Sequence, residues 1–382
     1  MLEQAGTLRL SRERTVHNIH LFRNRLPPST QLCATVKANA YGHGVQEMTP
    51  VLAAAGIDWF CVYSIAEALE IADRVAGKPI LVLAPLVLPT ESAPSPERFG
   101  ALTQLLDCTN IRITLTDESS ARHLATLVRH LQLAAPLPVH IQVDTGLTRQ
   151  GAAMDVVEPL CRTVAAQTAL RLEGLFTHLS HGDVPADTAS PAQLRAFAEL
   201  AIRIKQVAPH ILLHAQNTGG AWHWPGEKLD MVRLGIGLYG LQPAIEHPIP
   251  GLAPVACLQA PITAIHSRPA GTGIGYGHTH ILKRYSRLAV VPVGYADGYP
   301  RSLSNRADAE IHSMRVPVVG RVSMDQTILD VTDSPAAIGD PVTLISSDPA
   351  SGLCMDSLAS LCGTIGYELA TGLGRRLHRV VE

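Results

Sequence analysis

The chain of 382 residues lacks a marked excess of charge, a long apolar run and any C-x-x-C cysteine pair. Its 31 Lys and Arg against 33 Asp and Glu give a net charge of −2, so the charge does not favour a nucleic acid or an anionic membrane as partner. The longest apolar run, Ile80 to Leu88, contains Pro85 and is too short to cross a bilayer. We therefore expect a small-molecule ligand.

The seven cysteines are scattered along the chain, and several lie inside apolar runs; they are Cys33, Cys61, Cys108, Cys161, Cys257, Cys354 and Cys362. This pattern indicates reduced core thiols of a cytoplasmic protein and no metal site. The first twenty residues contain several charged side chains and no apolar core, so we expect no secretory signal.

The first part of the chain alternates short apolar runs with segments that have apolar residues at helical spacing. The runs are Leu32–Val36, Trp59–Tyr63, Ile80–Leu83, Ile111–Leu115, Val139–Val143, Leu172–Thr177, Ile211–Ala215 and Val232–Leu238. Eight strand–helix units predict an α/β fold, a closed (β/α)8 TIM barrel, which we assign to residues 1–243.

The pattern changes after the proline-rich stretch from Gln242 to Pro254. The later strand-like runs are separated by Gly, Pro and Asp, with few helical stretches; they are Ala260–Ile265, Leu288–Val293, Val316–Val319 and Ile328–Val331. This pattern predicts a separate, mainly β domain over residues 244–382.

A lysine follows the first apolar run, in the segment TVKANAYGHG that begins at Thr35. Lys37 therefore lies at the carboxyl end of a buried strand, followed by Tyr41 and two glycines that let the backbone approach a ligand closely. A Schiff-base lysine that binds a cofactor needs this arrangement. Taken alone the signal is modest, because a lysine at such a position is more often a solvated charge.

Two glycine clusters follow the seventh and eighth runs. The seventh run leads into Asn-Thr-Gly-Gly at residues 217–220, and the eighth contains Arg-Leu-Gly-Ile-Gly at residues 233–237. In a (β/α)8 barrel a phosphate site is commonly formed by these two loops. Their position in the barrel order therefore favours a phosphate-binding role, although turns use the same residues.

An ordered series of segments resembles the bacterial alanine racemases, fold-type III enzymes that use pyridoxal 5′-phosphate (PLP). The segments are the lysine segment, DTGLTRQG from Asp144, TH from Thr177, HAQNT from His214, RLGIGLYG from Arg233, GYG from Gly275, GYADGYPR from Gly294 and GRVSMDQ from Gly320. The resemblance implies interconversion of L- and D-alanine by a two-base mechanism, with D-alanine supplied for peptidoglycan synthesis. It also implies a homodimer in which each C-terminal domain completes the active site of the partner subunit.

The resemblance implies a role for each catalytic residue. Lys37 would bind PLP as a Schiff base and act as base on one face of the substrate. Tyr276 of a second subunit would be the base on the opposite face, because racemisation needs acid–base groups on both sides of Cα. His178 would hold and activate that tyrosine, although a histidine after a strand is more often structural.

The resemblance also implies the groups that hold the cofactor. Arg233 would face the pyridine nitrogen, supported from behind by His214, and would leave that nitrogen unprotonated and a poor electron sink. The phosphate would be bound by Tyr41, Thr218, the backbone N–H groups of Gly235 and Ile236, and Tyr367. Thr218 stands where the family usually has serine, and it keeps the hydroxyl.

For the substrate carboxylate the resemblance implies Arg149 and the backbone N–H of Met324 from the partner subunit. Tyr295, Arg301, Arg321 and Asp183 would line the entrance. Many family members carry a carbamylated lysine two residues before the Asp-Thr-Gly motif, where this chain has Gln142. An amide cannot be carbamylated, so Arg149 must be oriented by a direct amide hydrogen bond, a bound anion or a nearby carboxylate.

Three other functions stay open at this point. The first is the same chemistry on another amino acid such as serine, which the sequence does not separate from alanine. The second is a non-catalytic PLP-binding barrel protein, but such proteins resemble only the barrel. The third is a PLP-dependent decarboxylase of the same fold, which lacks segments of the GYADG and SMDQ type. The C-terminal domain that carries Tyr276 and Met324 argues against a non-catalytic PLP-binding barrel protein.

Overall fold

The computed structural model describes residues 6–86, 108–131, 133, 135–227 and 229–382. After a first strand, β1 (Thr7–Leu10), eight parallel strands close into a barrel, which confirms the predicted fold. The barrel strands are β2 (Gln31–Thr35), β3 (Trp59–Val62), β4 (Ile80–Pro85), β5 (Ile111–Leu115), β6 (Leu137–Gln142), β7 (Leu170–Phe176), β8 (Leu212–His214) and β9 (Met231–Leu234).

Helices surround the barrel: α1 (Arg12–Arg23), α2 (Val45–Ala54), α3 (Ile65–Ile71), α4 (Glu118–His130), α5 (Val157–Ala165), α6 (Ala189–Val207) and α7 (Thr218–His223). Several begin at a side chain that accepts a hydrogen bond from the first turn, as Ser64 does for α3 and Asn217 for α7. In these two helices the capping residue fixes where the helix starts after its strand.

The eighth apolar run is divided in the structure. We predicted one strand over Val232–Leu238, but β9 ends at Leu234 and a 3₁₀ turn covers Ile236–Tyr239. Gly235 breaks the strand with φ −112° and ψ −103°. A β-carbon at this position would lie 2.7 Å from the Tyr41 hydroxyl, so the turn depends on glycine.

The C-terminal part is mainly β, as predicted. Its strands are β10 (Ala256–Pro261), β11 (Ala264–Arg268), β12 (Gly273–Ile274), β13 (His280–Ile281), β14 (Ser286–Val291), β15 (Asp308–Ile311), β16 (Met314–Pro317), β17 (Thr327–Asp330), β18 (Pro341–Ile345) and β19 (His378–Val381). Two helices follow β18, α8 (Met355–Cys362) and α9 (Gly366–Thr371). The single run predicted over Ala260–Ile265 is two strands, because the chain leaves β10 after Pro261.

The strands of this part form three sheets, with the orders β16-β15-β18-β10-β1-β19, β11-β14-β17 and β12-β13. Strand β1 pairs antiparallel with β10 and parallel with β19, so this strand, which precedes the barrel in sequence, belongs to the sheet of the β domain. The sequence did not signal this pairing, and the division at residues 243 and 244 stays a prediction. No helix in the described part of the chain is long and apolar enough to span a membrane.

Candidate active site

The segment after β2 is a left-handed turn of ordinary L-residues. Ala38, Asn39 and Ala40 have φ of 51°, 55° and 53°, and Tyr41 has φ 52°. Each such residue costs about 1–2 kcal/mol relative to right-handed backbone, so the surrounding structure must hold the turn. Strained backbone that is retained in this way is a feature of functional sites.

Three contacts hold this turn in place. Glu67 Oε1 accepts a hydrogen bond of 2.7 Å from the N–H of Ala38, and Asn39 Oδ1 accepts one of 2.8 Å from the N–H of Val45. Arg379, from the last strand of the β domain, donates through Nη2 to the carbonyl oxygen of Gly42 at 2.8 Å. The barrel and the β domain therefore fix the lysine-bearing loop together.

Lys37 lies half-buried at the carboxyl end of β2. Burial lowers the pKa of its ammonium, nearby Cys61 opposes that change, and the positive charge of Arg149 lowers the pKa further. The Lys37 amine donates to no group among the described residues. A lysine with a lowered pKa and a free amine is suited to bind a carbonyl carbon and to exchange a proton.

Arg233, at the end of β9, is buried and fully engaged on one side. Its Nη1 lies 2.7 Å from Nδ1 of His214, and its Nη2 donates to the carbonyl oxygens of Thr177 and Ala215 at 2.7 Å and 3.1 Å. The Nδ1 atom of His178 lies 3.3 Å from the same Nη2. The Nε–H of Arg233 makes no hydrogen bond with the described residues, which leaves it available to a ligand in the barrel mouth.

Thr218 and Gly235 form the centre of a polar cup between the ends of β8 and β9. The Thr218 hydroxyl oxygen accepts hydrogen bonds from the N–H groups of Gly235 at 3.0 Å and Gly237 at 3.4 Å. Thr218 is buried, and its own hydroxyl hydrogen is donated to no described residue. We predicted that the Gly235 N–H faces the phosphate, but in the structure it donates to the Thr218 hydroxyl oxygen. The hydroxyl hydrogen of Thr218 is the donor that remains free for a phosphate.

Tyrosines close the side of the cup. The rings of Tyr41 and Tyr239 have centroids 5.3 Å apart, and those of Tyr41 and Tyr367 have centroids 6.1 Å apart. Burial raises the pKa of both Tyr41 and Tyr367, so their phenols stay protonated hydrogen-bond donors. The structure therefore brings Tyr367 of helix α9 to the same cup as the residues of the barrel.

His178 lies beside this cup at the end of β7. Burial, followed by the nearby charge of Arg233, lowers the pKa of the imidazole to about 3, so the ring is neutral. The carbonyl oxygen of His178 accepts a hydrogen bond of 3.1 Å from Nε2 of Gln193, whose Oε1 accepts from the N–H of Ser180 at 2.8 Å. Helix α6 thus fixes the loop that carries the histidine.

Arg149 lies in a loop that returns to the barrel. The N–H of Ala152 donates to the carbonyl oxygen of Gln142 at 2.8 Å, and Asp144 Oδ1 caps the turn by accepting from the N–H groups of Gly146, Leu147 and Thr148. Arg149 itself is exposed and makes no hydrogen bond or ion pair with a described residue.

The Oε1 atom of Gln142 is buried and has no hydrogen-bond partner in the described part of the chain. A direct amide contact with Arg149, one of the three expected ways to orient the arginine, is absent among the described residues. No described carboxylate pairs with Arg149 either, so the bound anion stays as a prediction.

Three predicted site residues lie on the β domain, away from the cup of the same chain. Tyr276, Met324 and Tyr295 are 73%, 52% and 42% exposed, and no hydrogen bond, ion pair or ring contact joins them to the described barrel residues. The loop of Tyr295 contacts the loop of Met324, because the N–H of Tyr295 donates to the carbonyl oxygen of Ser323 at 3.0 Å. The loop of Tyr276 lies beside the same segment, since a β-carbon on Gly275 would lie 3.5 Å from the backbone nitrogen of Arg321. The structure thus presents them together on an exposed face.

An ion-pair cluster holds these loops together. Arg376 donates through Nε to Oδ1 of buried Asp297 at 2.5 Å and through Nη2 to Oδ1 of Asp325 at 2.7 Å. Asp297 Oδ2 also accepts from the N–H of Gly294 at 2.8 Å. The cluster therefore ties the GYADG loop to the SMDQ loop.

The predicted entrance residues are spread over both parts of the chain. Arg301 is exposed and Arg321 is half-buried on the β domain, and Asp183 is half-buried beside helix α7 of the barrel. Burial raises the pKa of Asp183 to about 6. No group of three or more His, Cys, Asp or Glu in the described ranges could hold a metal ion.

Sequence reasoning missed several residues that support the site. Glu67 and Arg379 hold the left-handed turn, Arg376 ties the exposed loops, and His140 and Glu173 lie inside the barrel behind His214. His140 and Glu173 are polar residues within apolar runs, and that sequence signal could have marked them as members of a buried polar network.

Comparisons with known proteins agree over the whole chain. The model of the alanine racemase N-terminal domain matches residues 10–243, and that of the C-terminal domain matches residues 255–381. The chain is 34% identical to an alanine racemase of Synechocystis sp., over 100% of both chains. Among solved structures, an alanine racemase of Clostridium difficile 630 aligns with a TM-score of 0.89 at 26% identity, covering 99% of this chain and 96% of that one.

A second solved structure, alanine racemase from Bartonella henselae with covalently bound pyridoxal phosphate, aligns with a TM-score of 0.81 at 29% identity and covers 99% of both chains. A barrel with a free lysine beside a cup of hydroxyl donors, joined to a β domain, defines a cofactor-dependent barrel enzyme of fold-type III. The chain belongs to the alanine racemase family.

The residues of the cup fit PLP, the cofactor of this family. The Lys37 amine is free to bond an aldehyde carbon, and the unused Thr218 hydroxyl hydrogen suits a phosphate oxygen. The unused Nε–H of Arg233 suits an unprotonated ring nitrogen, which can only accept. These donors need no metal to hold the anion.

Proposed function

We propose that this protein is a PLP-dependent alanine racemase that interconverts L- and D-alanine. The observation that carries the proposal is Lys37, an amine of lowered pKa on a strained turn that lies in the same barrel mouth as Arg233 and Thr218. Membership of the alanine racemase family along both halves of the chain supports it.

PLP, when bound, withdraws electrons from an amino acid attached to it and so makes the Cα–H acidic enough to exchange. Lys37 Nζ removes or returns this proton on one face of Cα. Thr218, Tyr41 and Tyr367 donate hydrogen bonds to the phosphate, and Ile236 contributes its backbone N–H. Arg233 faces the ring nitrogen without giving up a proton, because a guanidinium stays charged.

The opposite face of Cα needs its own acid–base group. We assign this role to Tyr276 of a second copy of the chain, with His178 of the first copy next to it. The support is the 73% exposure of Tyr276 on a face that also presents Met324 and Tyr295. The active protein is then a homodimer, and each β domain completes the site of its partner.

Arg149 and the backbone N–H of Met324 bind the substrate carboxylate. Because no described carboxylate contacts Arg149 and a neutral amide, Gln142, stands where many family members carry an anionic carbamate, we assign a small anion such as chloride to the place beside the guanidinium. The Gln142 side chain would present its NH2 group, a donor, to that anion. Tyr295, Arg301, Arg321 and Asp183 line the approach. The protein works in the cytoplasm and supplies D-alanine for peptidoglycan synthesis.

A chiral product assay over a panel of L-amino acids, with purified protein and added PLP, tests this proposal. We expect D-alanine to form fastest, with slower turnover of serine and larger amino acids. Formation of carbon dioxide and an amine would instead identify a decarboxylase. PLP binding without turnover of any amino acid would identify a cofactor-binding protein, and Lys37→Ala provides the matched inactive control.

A further inference from the structure

A row of polar side chains runs through the barrel interior, away from the cup. Arg233 Nη1 lies 2.7 Å from His214 Nδ1, and His214 Nε2 lies 3.0 Å from His140 Nδ1. His140 Nε2 lies 3.4 Å from Glu173 Oε2. The last contact is within ion-pair distance, but it does not close into a hydrogen bond, and His140 Nε2 has no other hydrogen-bond partner among the described residues.

Close packing between the barrel strands holds these side chains in place. His140 and His214 are completely buried, and the register between β6 and β7 shifts at His140, which lies opposite Gly174. A β-carbon on Gly174 would lie 2.3 Å from His140 Nδ1, so the imidazole occupies space that only glycine leaves free. At its far end, Glu173 is also held by Arg112 Nε at 2.9 Å and Arg171 Nη2 at 2.9 Å.

Donors at one end and an acceptor at the other set the direction of every hydrogen bond in the row. A guanidinium has only donors, so His214 Nδ1 must accept and its Nε2 must carry the proton. His214 Nε2 then donates to His140 Nδ1, and the proton of His140 lies on Nε2, facing the Glu173 carboxylate. Burial lowers the pKa of both histidines, which keeps each ring neutral with a single proton.

Glu173 is the acceptor within reach of His140 Nε2, at 3.4 Å. Without an acceptor at His140 Nε2, that buried N–H is left unpaired. The alternative order, with the protons of both rings on Nδ1, avoids this only by turning a donor of His214 toward the donors of Arg233. Burial on its own raises the pKa of Glu173, but contacts with His140 and Arg112 outweigh it and bring the pKa to about 2, so the acceptor is ionised. No described carboxylate forms an ion pair with Arg233 itself.

We propose that Glu173 is a positioning residue for the reaction: through His140 and His214 it fixes the orientation of the Arg233 guanidinium toward the cofactor ring. The proposal rests on the proposed function, because it takes Arg233 to face the ring nitrogen. It goes beyond that function by giving a role to a carboxylate that contacts neither substrate nor cofactor.

Neutron diffraction from crystals of the deuterated holoenzyme tests the order of protons on which the proposal rests. We expect deuterium on Nε2 and not on Nδ1 of both His140 and His214. Deuterium on Nδ1 of either ring would overturn the assignment. This readout does not depend on turnover, so it stays decisive even if the protein does not racemise alanine, an outcome that would refute the proposed function alone.

Variants at residue 173 test the consequence for catalysis. Glu173→Leu removes the acceptor, and we expect kcat for alanine to fall at least about tenfold with little change in KM, together with a shifted absorption band of bound PLP. Glu173→Gln keeps an acceptor oxygen, and it should recover most of kcat and the wild-type band. The matched control is Arg171→Gln, which removes an exposed partner of the same carboxylate and should leave both unchanged.

Two results would overturn the proposal. One is a Glu173→Leu protein with wild-type kcat and absorption band. The other is a Glu173→Gln protein that is as slow as Glu173→Leu, which would show that the acceptor oxygen is not what Arg233 depends on. If Glu173→Leu does not fold, Glu173→Gln and the neutron structure still decide the question.

Discussion

Gly235→Ala is the substitution that probes the cofactor cup most directly. A β-carbon at this position would lie 2.7 Å from the Tyr41 hydroxyl oxygen and 3.2 Å from its Cζ. Tyr41 has little freedom to withdraw, because it is buried on a strained turn and its ring contacts those of Tyr239 and Tyr367. The clash therefore has to displace the hydroxyl that we assign to the phosphate.

The size of the effect follows from the strain. Overpacking by one methyl group in a well-packed site costs about 1–3 kcal/mol, and binding of PLP must bring the hydroxyl back against that strain. Since about 1.4 kcal/mol corresponds to tenfold in affinity, the Kd for PLP should rise by about 5- to 150-fold. Racemisation at saturating PLP should fall less than the affinity does, because Lys37 and Arg233 are untouched.

The assay is a PLP titration of cofactor-free protein, followed by the absorbance of bound cofactor. Gly226→Ala is the matched control, since a β-carbon there meets nothing within 4 Å. In the double variant Gly235→Ala/Tyr41→Phe, the loss of binding free energy for PLP should be smaller than the sum of the losses in the two single variants. Both single substitutions act through the same Tyr41 hydroxyl. A Gly235→Ala protein with the wild-type Kd would show that the phosphate does not bind beside Gly235 and Tyr41.

Three further predictions concern the exposed face that carries Tyr276, the binding of the substrate carboxylate beside Arg149, and the loss of stability at acidic pH. Tyr276→Phe should bind PLP but nearly stop turnover of L-alanine, and mixing it with inactive Lys37→Ala subunits should restore some activity through hybrid dimers; no recovery after verified subunit exchange would contradict a shared site. Wild-type activity should fall when halide is removed and should not respond to bicarbonate, whereas Gln142→Lys should gain a bicarbonate response; activity that ignores halide would show that no anion is needed beside Arg149. Burial lowers the pKa of His43 to about 4, so this histidine is neutral when folded and gains a proton on unfolding below its ordinary pKa. Its contribution to stability is therefore complete above about pH 6.5 and is lost as the pH falls toward 4, by up to about 3 kcal/mol; urea unfolding should show a shallower pH dependence for His43→Asn, and equal slopes would refute the assignment.

The barrel could be predicted from sequence because most of its strands lie in short, mainly apolar runs whose residues are largely buried. The strand that starts the chain could not, because Thr7–Leu10 has four residues and is stabilised by pairing with β10 and β19, which are hundreds of positions away in sequence. Short strands of the β domain, such as Gly273–Ile274, were not predicted from the sequence for the same reason. Their pairing is a tertiary property that a local pattern does not contain.

For the site, the sequence identified groups that act on a ligand but not the groups that hold them. Lys37, Arg233 and Thr218 lie in recognisable segments at strand ends, so their roles could be proposed in advance. Glu67 and Arg379 lie far from Lys37 in sequence and reach the turn only through the fold. The left-handed backbone at Ala38 to Tyr41 was also unexpected, since L-residues without special propensity adopt it only under tertiary constraint.

The proposed reaction depends most of all on Lys37, which binds PLP and exchanges the proton of alanine. The most direct test is borohydride reduction of the holoenzyme, followed by peptide mapping by mass spectrometry and by a racemisation assay of Lys37→Ala. We predict that the reduced cofactor is attached to Lys37 alone and that Lys37→Ala neither retains PLP after reduction nor racemises alanine. Cofactor attached to another lysine, or a Lys37→Ala protein that racemises alanine at the wild-type rate, would contradict the account.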